Sequence, residues 1–410
     1  MADALALTGP SSFLREKVLL GMGWGEYLRS LLTPANAVAA VILVVGLPLL
    51  AYRFAAGLGA TTALSQAYPW GLWIGFDMMT GIVLAASGFT IGASVQLLGL
   101  RDYHAIERSA ILTAFLGYLM AVIGLLADLG RPWNIVQAVF NYGSASPLFE
   151  VAWCVMCYTT VLLLEFTVPF FEWMGWRKLH AVLKKTLIAL TVLSVVFSTM
   201  HQSALGSLFL LAPTKLHPLW YSAVIFIFFF ISAILAGISM AVIESSISHK
   251  VFARQVVGKH VDVDALVCGL GKAGAVVAFA YFFIKLQGVI DGHAWGHLAT
   301  GWGALFLVET VGLVLVPSLL FAWGARNREP AAVKVAAVLA VGGIILNRLN
   351  VSVIAFNWTN PIRYVPSWME VWVSLTLVTL GVVAFRWIVN RMPIVREDPA
   401  FPQGHGEETP

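Results

Sequence analysis

Ten apolar stretches, each long enough to cross a lipid bilayer, constrain this chain more than any other feature of its sequence. A transmembrane helix needs about 20 consecutive, predominantly apolar residues. Only 11% of the 410 residues are charged and 59% are hydrophobic, whereas soluble proteins carry about 25% charged residues. The sequence therefore predicts an all-α integral membrane protein with ten transmembrane helices. The predicted spans are 36–57, 69–99, 109–128, 147–171, 183–205, 219–245, 262–288, 299–323, 332–355 and 368–390.

The loops between these stretches differ in their content of Lys and Arg, and this difference predicts the orientation of the chain. On one side we count sixteen basic residues in loops and chain ends, among them Arg254, Lys259 and Arg396. The opposite loops hold only three, which are Arg131, Lys215 and Arg363. Because basic loops stay on the cytoplasmic side of a membrane, both termini are predicted to be cytoplasmic.

A weak internal repeat predicts how the spans are grouped. The second span begins with Pro69-Trp70 and the sixth with Pro218-Leu219-Trp220, and both reach a small-residue patch about fifteen positions later. We therefore expect two four-helix bundles made of spans two to five and six to nine, with spans one and ten beside them. The predicted division is 1–34 for an interfacial N-terminal segment, 35–390 for the membrane domain with bundles at 69–212 and 217–356, and 391–410 for a cytoplasmic tail.

The second span contains a single carboxylate, Asp77, eight residues after Pro69. At 1.5 Å per residue, this acid lies roughly 12 Å from the start of the helix. A carboxylate at that depth must be paired, protonated or directed into a cavity. Trp70 and Trp73 precede it by seven and four residues and so share its helix face. Asp77 is therefore a candidate functional acid, and the alternative is a carboxylate hydrogen-bonded to a neighbouring helix for packing alone.

The fifth span contributes His201, the one histidine inside a predicted span, at the same outer depth as Asp77. An acid and an imidazole in one layer, with Gln202 beside them, can bind and deprotonate a quinol. In this prediction Trp70 and Trp73 provide the apolar walls of the pocket. The alternative for His201 is a hydrogen bond to a backbone carbonyl of a neighbouring residue.

Two further sets of buried polar residues are candidates for proton or ion movement. In the first bundle the predicted proton path combines Asp77 with four other residues, which are Glu165, Ser87, Thr90 and Tyr118. In the second bundle the predicted charge network consists of Lys272, Lys285, Glu309 and Arg348. Such charges are costly in a membrane unless they pair, so a structural network is the first interpretation and a second ion route is the other.

The chain offers few ligands for a bound cofactor. Haem ligation by two histidines needs two of them inside the bundle, and only His201 qualifies. The three cysteines, Cys154, Cys157 and Cys268, are too few for a zinc or iron–sulfur site. We therefore expect no metal site, haem or iron–sulfur cluster in this chain, and no nucleic-acid motif is present.

Two motifs resemble a known family. The start of span two reads Y-P-W-G-L-W-x-x-x-D from Tyr68 to Asp77, and the end of span five reads H-Q-S-x-L-G-S-L from His201 to Leu208. With ten spans, this pattern resembles the NrfD/PsrC membrane subunits over essentially the whole chain. The similarity is greatest to the ten-helix branch, which includes membrane subunits of a hydrogenase and of a periplasmic quinone reductase complex.

The resemblance implies a quinone-binding anchor in the bacterial inner membrane that supplies a quinone site to a complex and is not catalytic alone. Menaquinone or ubiquinone is the implied substrate, and the implied partner is a periplasmic ferredoxin-like iron–sulfur subunit docked on the outer face. The resemblance also implies further periplasmic redox subunits, such as a molybdopterin-family protein, a hydrogenase or a multihaem cytochrome c. The resemblance assigns the quinone role to Asp77 and His201, with Trp73, Gln202 and Tyr118 nearby.

Family members differ in the direction of quinone chemistry and in whether protons come from the cytoplasm, and both alternatives stay open. A different class of function, a secondary transporter or an ion- or proton-conducting membrane protein, agrees with the internal repeat and the embedded charges. Against it, the sequence shows no pair of spans interrupted by Pro or Gly at the membrane midplane.

Overall fold

The structure is a computed structural model that describes residues 13–143, 145–252 and 262–395. These residues contain ten helices that are long and apolar enough to cross a membrane, which confirms the predicted number. Numbered α1 to α10, they are Pro34–Ala56, Trp73–Gln96, Arg101–Asp128, Pro147–Met174, Arg177–Leu211, Ile225–Val251, Val263–Asp291, Gly301–Asn327, Pro330–Ile354 and Trp368–Val389. The described residues form no strand, only an isolated bridge between Leu216 and Phe356.

Short helical segments occupy the ends and loops. They are Leu14–Val18, Trp24–Ser30, Leu58–Ala60, Pro132–Val136, Gln137–Phe140 and Ala294–Ala299. Several predictions fall outside the described residues: positions 1–12 of the N-terminal segment, the loop residues Arg254 and Lys259, and the tail from Arg396 onward.

The helices begin where side chains and prolines satisfy the first backbone N–H groups. The Thr33 hydroxyl accepts a hydrogen bond from Asn36 N at 3.2 Å, and Pro34 occupies the first helical position of α1. In α10 the Ser367 hydroxyl accepts from Glu370 N at 3.2 Å, while the Glu370 carboxylate accepts from Ser367 N at 2.8 Å. This reciprocal pair is a capping box, and it holds both residues at the predicted outer surface.

Helix α2, which carries Asp77, is irregular. It starts with a π-helical segment, Trp73–Thr80, continues as α-helix over Gly81–Leu84, and resumes as Ser87–Gln96 after a two-residue break. The Thr80 hydroxyl donates to Gly75 O at 2.9 Å within the π segment. Wider π turns of this kind are frequent at functional sites because they redirect side chains.

Close contact between α2 and α3 depends on small residues along both helices. A Cβ atom on Gly124 would lie 2.7 Å from the Asp77 Cβ atom, and one on Gly88 would lie 2.5 Å from the Ala114 Cβ atom. Glycine is therefore required at both positions for the helices to approach this closely. The contact fixes Asp77 against α3.

The contacts between helices fall into two groups. Helices α2, α3, α4 and α5 pack together, as do α6, α7, α8 and α9, while α10 pairs with α1 and packs against α3 and the start of α2. Helix α6 also packs against α2 and α5, and one hydrophobic core runs across both groups. The division into bundles at 69–212 and 217–356 therefore follows the contacts but stays a prediction as a division into domains.

Candidate functional site

The imidazole of His201 lies fully buried between α3, α4 and α5, with a hydrogen bond at each nitrogen. Its Nδ1 lies 2.6 Å from Phe197 O, and its Nε2 lies 2.5 Å from the Tyr118 hydroxyl. A carbonyl oxygen can only accept, so Nδ1 carries the ring proton and Nε2 accepts from the Tyr118 hydroxyl. The alternative expected for His201, a hydrogen bond to a backbone carbonyl, is therefore present. The ring also makes a hydrogen bond to Tyr118, a predicted site residue.

A second tyrosine, absent from the predicted set, completes this cluster. The ring of Tyr158 on α4 meets the ring of Tyr118 edge-on, with centroids 4.6 Å apart, and lies 5.6 Å from the His201 ring. Both tyrosines are fully buried. Tyr158 precedes Glu165 by seven residues, which places the two on one face of α4. That spacing was the available sequence signal for Tyr158.

Four polar atoms in this part of the first bundle are buried without a hydrogen-bond partner among the described residues. They are Ser87 Oγ, Tyr158 Oη, Ser198 Oγ and Gln202 Oε1. Ser198 and Gln202 lie beside Tyr118, and the Gln202 amide nitrogen lies 3.4 Å from Ile82 O. An unmade hydrogen bond of a buried polar group costs about 1–3 kcal/mol. Unpaired groups clustered around one imidazole are therefore suited to contact a ligand or water that carries its own donors and acceptors.

Asp77 is buried on another side of the bundle. Its Oδ2 accepts a hydrogen bond of 2.6 Å from the Ser374 hydroxyl on α10, and its Cβ faces Gly124 on α3. No hydrogen bond among the described residues joins Asp77 to His201. Gly124 follows Tyr118 by six residues, about 9 Å along the α3 axis. Asp77 on α2 and His201 on α5 thus both contact α3, at Gly124 and Tyr118, but have separate hydrogen-bond partners.

The two predicted pocket tryptophans pack elsewhere. The Trp73 indole Nε1 donates to Glu370 O at 3.1 Å, and its ring packs in a small cluster with Ala127 and Val373. The Trp70 ring stacks on Phe356, with centroids 5.9 Å apart. Neither tryptophan makes a ring contact with His201 or Tyr118 in the part of the chain that the structure describes.

A polar corner lies near Asp77 at the predicted outer ends of α1, α3 and α10. The Arg53 guanidinium donates to Ala127 O and Leu129 O, at 2.5 Å each. These two residues flank Asp128 in the chain. The Tyr364 hydroxyl donates to the Glu370 carboxylate. Arg53, Glu370 and Ser374 were missed by sequence reasoning, because they come from spans one and ten, far from Asp77 in sequence.

A column of hydroxyl groups runs along α5 from His201 toward the predicted cytoplasmic half of the bundle. Ser198, Ser194 and Thr191 follow one another at intervals of three or four residues and so share a helix face. The Glu165 carboxylate accepts from the Ser194 hydroxyl at 3.2 Å, and the Thr191 hydroxyl lies 3.5 Å from it while donating to Leu187 O at 3.1 Å. Of the predicted proton path, Tyr118 and Glu165 therefore meet this column.

The other members of the predicted path behave differently. The Thr90 hydroxyl donates to Ala86 O of its own helix at 2.8 Å, so its hydrogen bond is already used. An acid outside the predicted proton path is Glu244 on α6, whose buried carboxyl group faces the hydroxyls of Ser109 and Thr113 on α3. A third acid, Glu172, forms an ion pair with Arg108 at 2.8 Å, at the predicted cytoplasmic end of the bundle.

The predicted charge network of the second bundle forms with one exception. Lys285 pairs with Glu309, and both are buried together with Arg348. Lys272 is exposed and makes no hydrogen bond or ion pair within the described residues, so its assignment to the network was wrong. Lys272 and Lys285 are 13 residues apart, which at about 100° per residue places them on different faces of α7.

No group of three or more His, Cys, Asp or Glu side chains that could hold a metal ion occurs among the described residues. All three cysteines are free thiols. The donors and acceptors that surround His201 are hydroxyl, amide and imidazole groups, which suit an organic ligand with ring oxygens.

Outside the spans, His217 lies in an aromatic cluster on the predicted outer face. Its ring is buried against Trp358, His297 and Trp302, with centroids 4.7, 5.0 and 5.1 Å away. Its Nδ1 accepts from Leu219 N at 3.2 Å. Burial, followed by the proximity of His297, lowers the pKa of His217 from 6.5 to about 4. The cluster therefore holds a neutral histidine at neutral pH.

The chain is similar in sequence to several known proteins. A family model described as "Polysulphide reductase, NrfD" matches residues 39–357. A protein of Nitratidesulfovibrio vulgaris is 45% identical over 92% of this chain and 98% of its own length. The "Probable Ni/Fe-hydrogenase 2 b-type cytochrome subunit" of Escherichia coli is 28% identical over 86% of this chain and 90% of that protein. The "Menaquinone reductase, integral membrane subunit" of N. vulgaris is 28% identical over 86% of this chain and 88% of that protein.

Proposed function

We propose a function from the premise that this chain belongs to the polysulphide reductase NrfD family, whose model covers residues 39–357. The chain is then the quinone-binding membrane anchor of a multi-subunit respiratory oxidoreductase in the bacterial inner membrane. It exchanges electrons between a periplasmic iron–sulfur partner and the membrane quinone pool. It contributes the quinone site and is not catalytic alone, and both of its termini face the cytoplasm.

The observation that carries this proposal is the cluster of Tyr118, Tyr158 and His201 with unpaired hydroxyl groups around it. A quinone presents ring carbonyls that accept hydrogen bonds, and the corresponding quinol presents hydroxyls that donate. A protein hydroxyl can both donate and accept, so Tyr158 and Ser198 are able to bind either form. The rings of Tyr118 and Tyr158 provide apolar surface of the kind that such a ligand needs.

The hydrogen bond between Tyr118 and His201 supplies a proton acceptor. Oxidation of a quinol releases two electrons and two protons, and the electrons pass to the iron–sulfur partner. As the Tyr118 oxygen takes a proton from a substrate hydroxyl, its own proton moves to His201 Nε2 along the existing 2.5 Å hydrogen bond. Tyrosine ends unchanged and the imidazole holds the proton. Reduction of quinone uses the same groups in the opposite direction.

The second proton is assigned to Asp77, about 9 Å farther along α3 than Tyr118. Proton exchange with the cytoplasmic side is assigned to the column of Ser198, Ser194, Thr191 and Glu165. Hydroxyl groups at one-turn intervals, joined by water, are able to relay protons over such a distance. The column supports cytoplasmic proton uptake, which makes turnover electrogenic.

The partners are proposed from the relatives. These are named as a cytochrome subunit of a hydrogenase, an integral membrane subunit of a menaquinone reductase and, in Halobacterium salinarum, a putative membrane subunit of a dimethyl sulfoxide reductase. By this analogy the chain docks a ferredoxin-like iron–sulfur subunit, which connects it to a hydrogenase, a molybdopterin-family protein or a multihaem cytochrome c. Menaquinone or ubiquinone is the substrate.

The test is quinone-coupled turnover of the purified complex with His201→Ala or Asp77→Asn in this chain. We expect both variants to assemble with their partners and to lose electron exchange with quinone. Thr199→Val is the matched control, because the Thr199 hydroxyl donates to Val195 O of its own helix at 2.7 Å, two residues before His201. Full quinone turnover in both His201→Ala and Asp77→Asn contradicts the proposal.

A secondary transporter or an ion- or proton-conducting protein is the second candidate. One observation favours it: α8 and α9 contain π-helical segments, Val308–Leu315 and Asn350–Ile354, next to the buried pair of Lys285 and Glu309. Irregular helices near buried charges are typical of transporter sites. Uptake of a radiolabelled solute by vesicles that contain only this chain supports the second candidate, and its absence, with quinone turnover present in the complex, removes it.

A further inference from the structure

The buried charges of the second bundle do not balance among the described residues. The Glu309 carboxylate is fully buried and accepts hydrogen bonds from Lys285, Trp220 Nε1 at 2.7 Å, Asn347 Nδ2 at 2.8 Å and Asn350 Nδ2 at 2.6 Å. Four donors occupy the acceptor positions of an ionised carboxylate, whereas a protonated acid would have to donate one of these bonds. Glu309 therefore carries a negative charge and neutralises Lys285.

Arg348 remains as a second buried cation, and its partners are neutral. Its guanidinium donates to Asn347 Oδ1 at 2.8 Å, to the Ser232 hydroxyl at 2.7 Å and to Phe229 O at 3.2 Å. It also lies 3.8 Å from the centre of the Phe229 ring. An arginine does not lose its proton in a protein. Lys285, Arg348 and Glu309 together therefore leave one uncompensated positive charge.

Among the residues that the structure describes, Arg348 Nε and the Tyr281 hydroxyl are hydrogen-bond donors buried without a partner, and both side chains are fully buried. Tyr281 precedes Lys285 by one helical turn, and the Lys285 ammonium lies 5.6 Å from the centre of its ring. A single anion could satisfy both donors and cancel the excess charge. In a membrane interior, an uncompensated charge and unpaired hydrogen-bond donors both destabilise the protein.

A small cavity adjoins the network at Lys285 and Asn347, and neither Arg348 nor Tyr281 lines it. It is lined by ten residues: Leu219, Trp220, Tyr221, Ile225, Phe228, Phe229, Lys285, Gly288, Asn347 and Val351. Its interior admits a particle of about the size of one water molecule. Lys285 and Phe229 border it, and these residues contact Tyr281 and Arg348. The aromatic lining disfavours a strongly hydrated polyatomic anion.

We propose that the second bundle binds a small monovalent anion of the chloride class among Lys285, Arg348 and Tyr281. The anion completes the charge balance of a core that joins α6, α7, α8 and α9. This inference is independent of the quinone chemistry proposed for the first bundle. It assigns to the second bundle a ligand site of its own.

The experiment measures the thermal unfolding midpoint of the purified complex while chloride replaces gluconate at constant ionic strength. We expect a saturable rise of the midpoint with chloride, and bromide in place of chloride gives an anomalous scattering peak next to Arg348. Arg348→Gln removes the excess charge and abolishes the halide dependence. Lys272→Gln, which changes an exposed lysine of the same helix as Lys285, leaves it unchanged.

A further variant keeps the test decisive when Arg348→Gln fails to fold. Tyr281→Phe removes one donor without changing the charge, so the chloride concentration for half-maximal stabilisation rises about tenfold. A midpoint of the wild type that does not respond to chloride overturns the proposal. A chloride response of Tyr281→Phe equal to that of the wild type, or no bromide peak, also overturns it.

Discussion

At the scale of single residues, the contact between the Tyr118 hydroxyl and His201 Nε2 is the part of the site whose chemistry is best defined. The second nitrogen of the imidazole is held by Phe197 O, so the ring can neither rotate nor exchange tautomers without losing a hydrogen bond. A proton acceptor with a fixed lone pair is what a proton relay requires. Tyr158 and Ser198 provide unpaired hydroxyls next to it.

This arrangement predicts a specific effect of Tyr118→Phe. The substitution keeps the ring contact with Tyr158 but removes the hydroxyl through which a proton reaches His201, so quinone turnover falls by about 10²–10⁴-fold. The measurement is electron exchange between the purified complex and a soluble quinone analogue. Assembly and thermal stability serve as the control, since the apolar packing of the ring is retained. A variant that turns over like the wild type contradicts the relay.

At the scale of helices, the position of Asp77 depends on the close contact of α2 with α3. Small residues on both helices permit it, and Gly124 faces the Asp77 Cβ atom directly. The π-helical segment Trp73–Thr80 then directs the Asp77 carboxylate toward Ser374 of α10. The acid therefore contacts α3 and α10 in addition to its own helix, α2. Both contact residues, Gly124 and Ser374, are distant from it in sequence.

The close contact predicts that Gly124→Ala destabilises the protein, although alanine favours helix formation. The added Cβ atom would lie 2.7 Å from the Asp77 Cβ atom, and such overpacking costs about 1–3 kcal/mol. Gly342→Ala on α9 is the matched control, because no atom lies within 4 Å of its added Cβ atom. We expect that control to stabilise α9 by up to about 1 kcal/mol. Equal unfolding midpoints for the two variants contradict the prediction.

The loop that contains His217 predicts a dependence of stability on pH. Its pKa is lowered to about 4 in the folded protein, from 6.5 when unfolded, so the unfolded chain binds a proton more readily between these values. The contribution of this group is complete above about pH 6.5 and is lost as the pH falls toward 4, a difference of about 3 kcal/mol at most.

The measurement is the unfolding midpoint between pH 7 and pH 4 for the wild type and for His217→Asn. Asparagine retains an acceptor for Leu219 N but does not titrate, so we expect the midpoint of this variant to fall less at low pH. His293→Asn is the control, since His293 is exposed and has a positive φ of 50°, which asparagine tolerates. Parallel pH curves for wild type and His217→Asn contradict the prediction.

At the scale of the whole molecule, two groups of four helices share one core, with α1 and α10 paired at one side. The first group contains the candidate quinone site, and the second contains the charge network of Lys285, Glu309 and Arg348. Helix α6 connects them by packing against α2 and α5. Each group therefore has its own cluster of buried polar residues inside one continuous hydrophobic core.

The predicted orientation of the whole chain is testable with introduced cysteines. Trp133→Cys lies in an exposed loop on the predicted outer side, and Lys178→Cys lies on the predicted cytoplasmic side. We expect a membrane-impermeant maleimide to label the first variant in spheroplasts and the second only after the membrane is permeabilised. The parent chain controls for its three native cysteines. Labelling of Lys178→Cys from outside reverses the proposed topology.

The sequence by itself determined the fold class, the number of spans and the family. Apolar length alone specifies a membrane helix, because a backbone in lipid must satisfy its hydrogen bonds internally, and the predicted number of ten spans is confirmed. The resemblance read from the motifs at Tyr68–Asp77 and His201–Leu208 is confirmed as well. These properties reside in contiguous stretches and need no knowledge of which helices touch.

Only the tertiary structure decided which polar side chains meet. The predicted layer of Asp77 and His201 implied a shared pocket, but Asp77 bonds to Ser374 and His201 bonds to Tyr118. Depth in the membrane follows from position along a helix, whereas partners depend on helix rotation and on neighbours distant in sequence. The same rotation excludes Lys272 from the network and brings Arg53 and Ser374 to positions that no local pattern specifies.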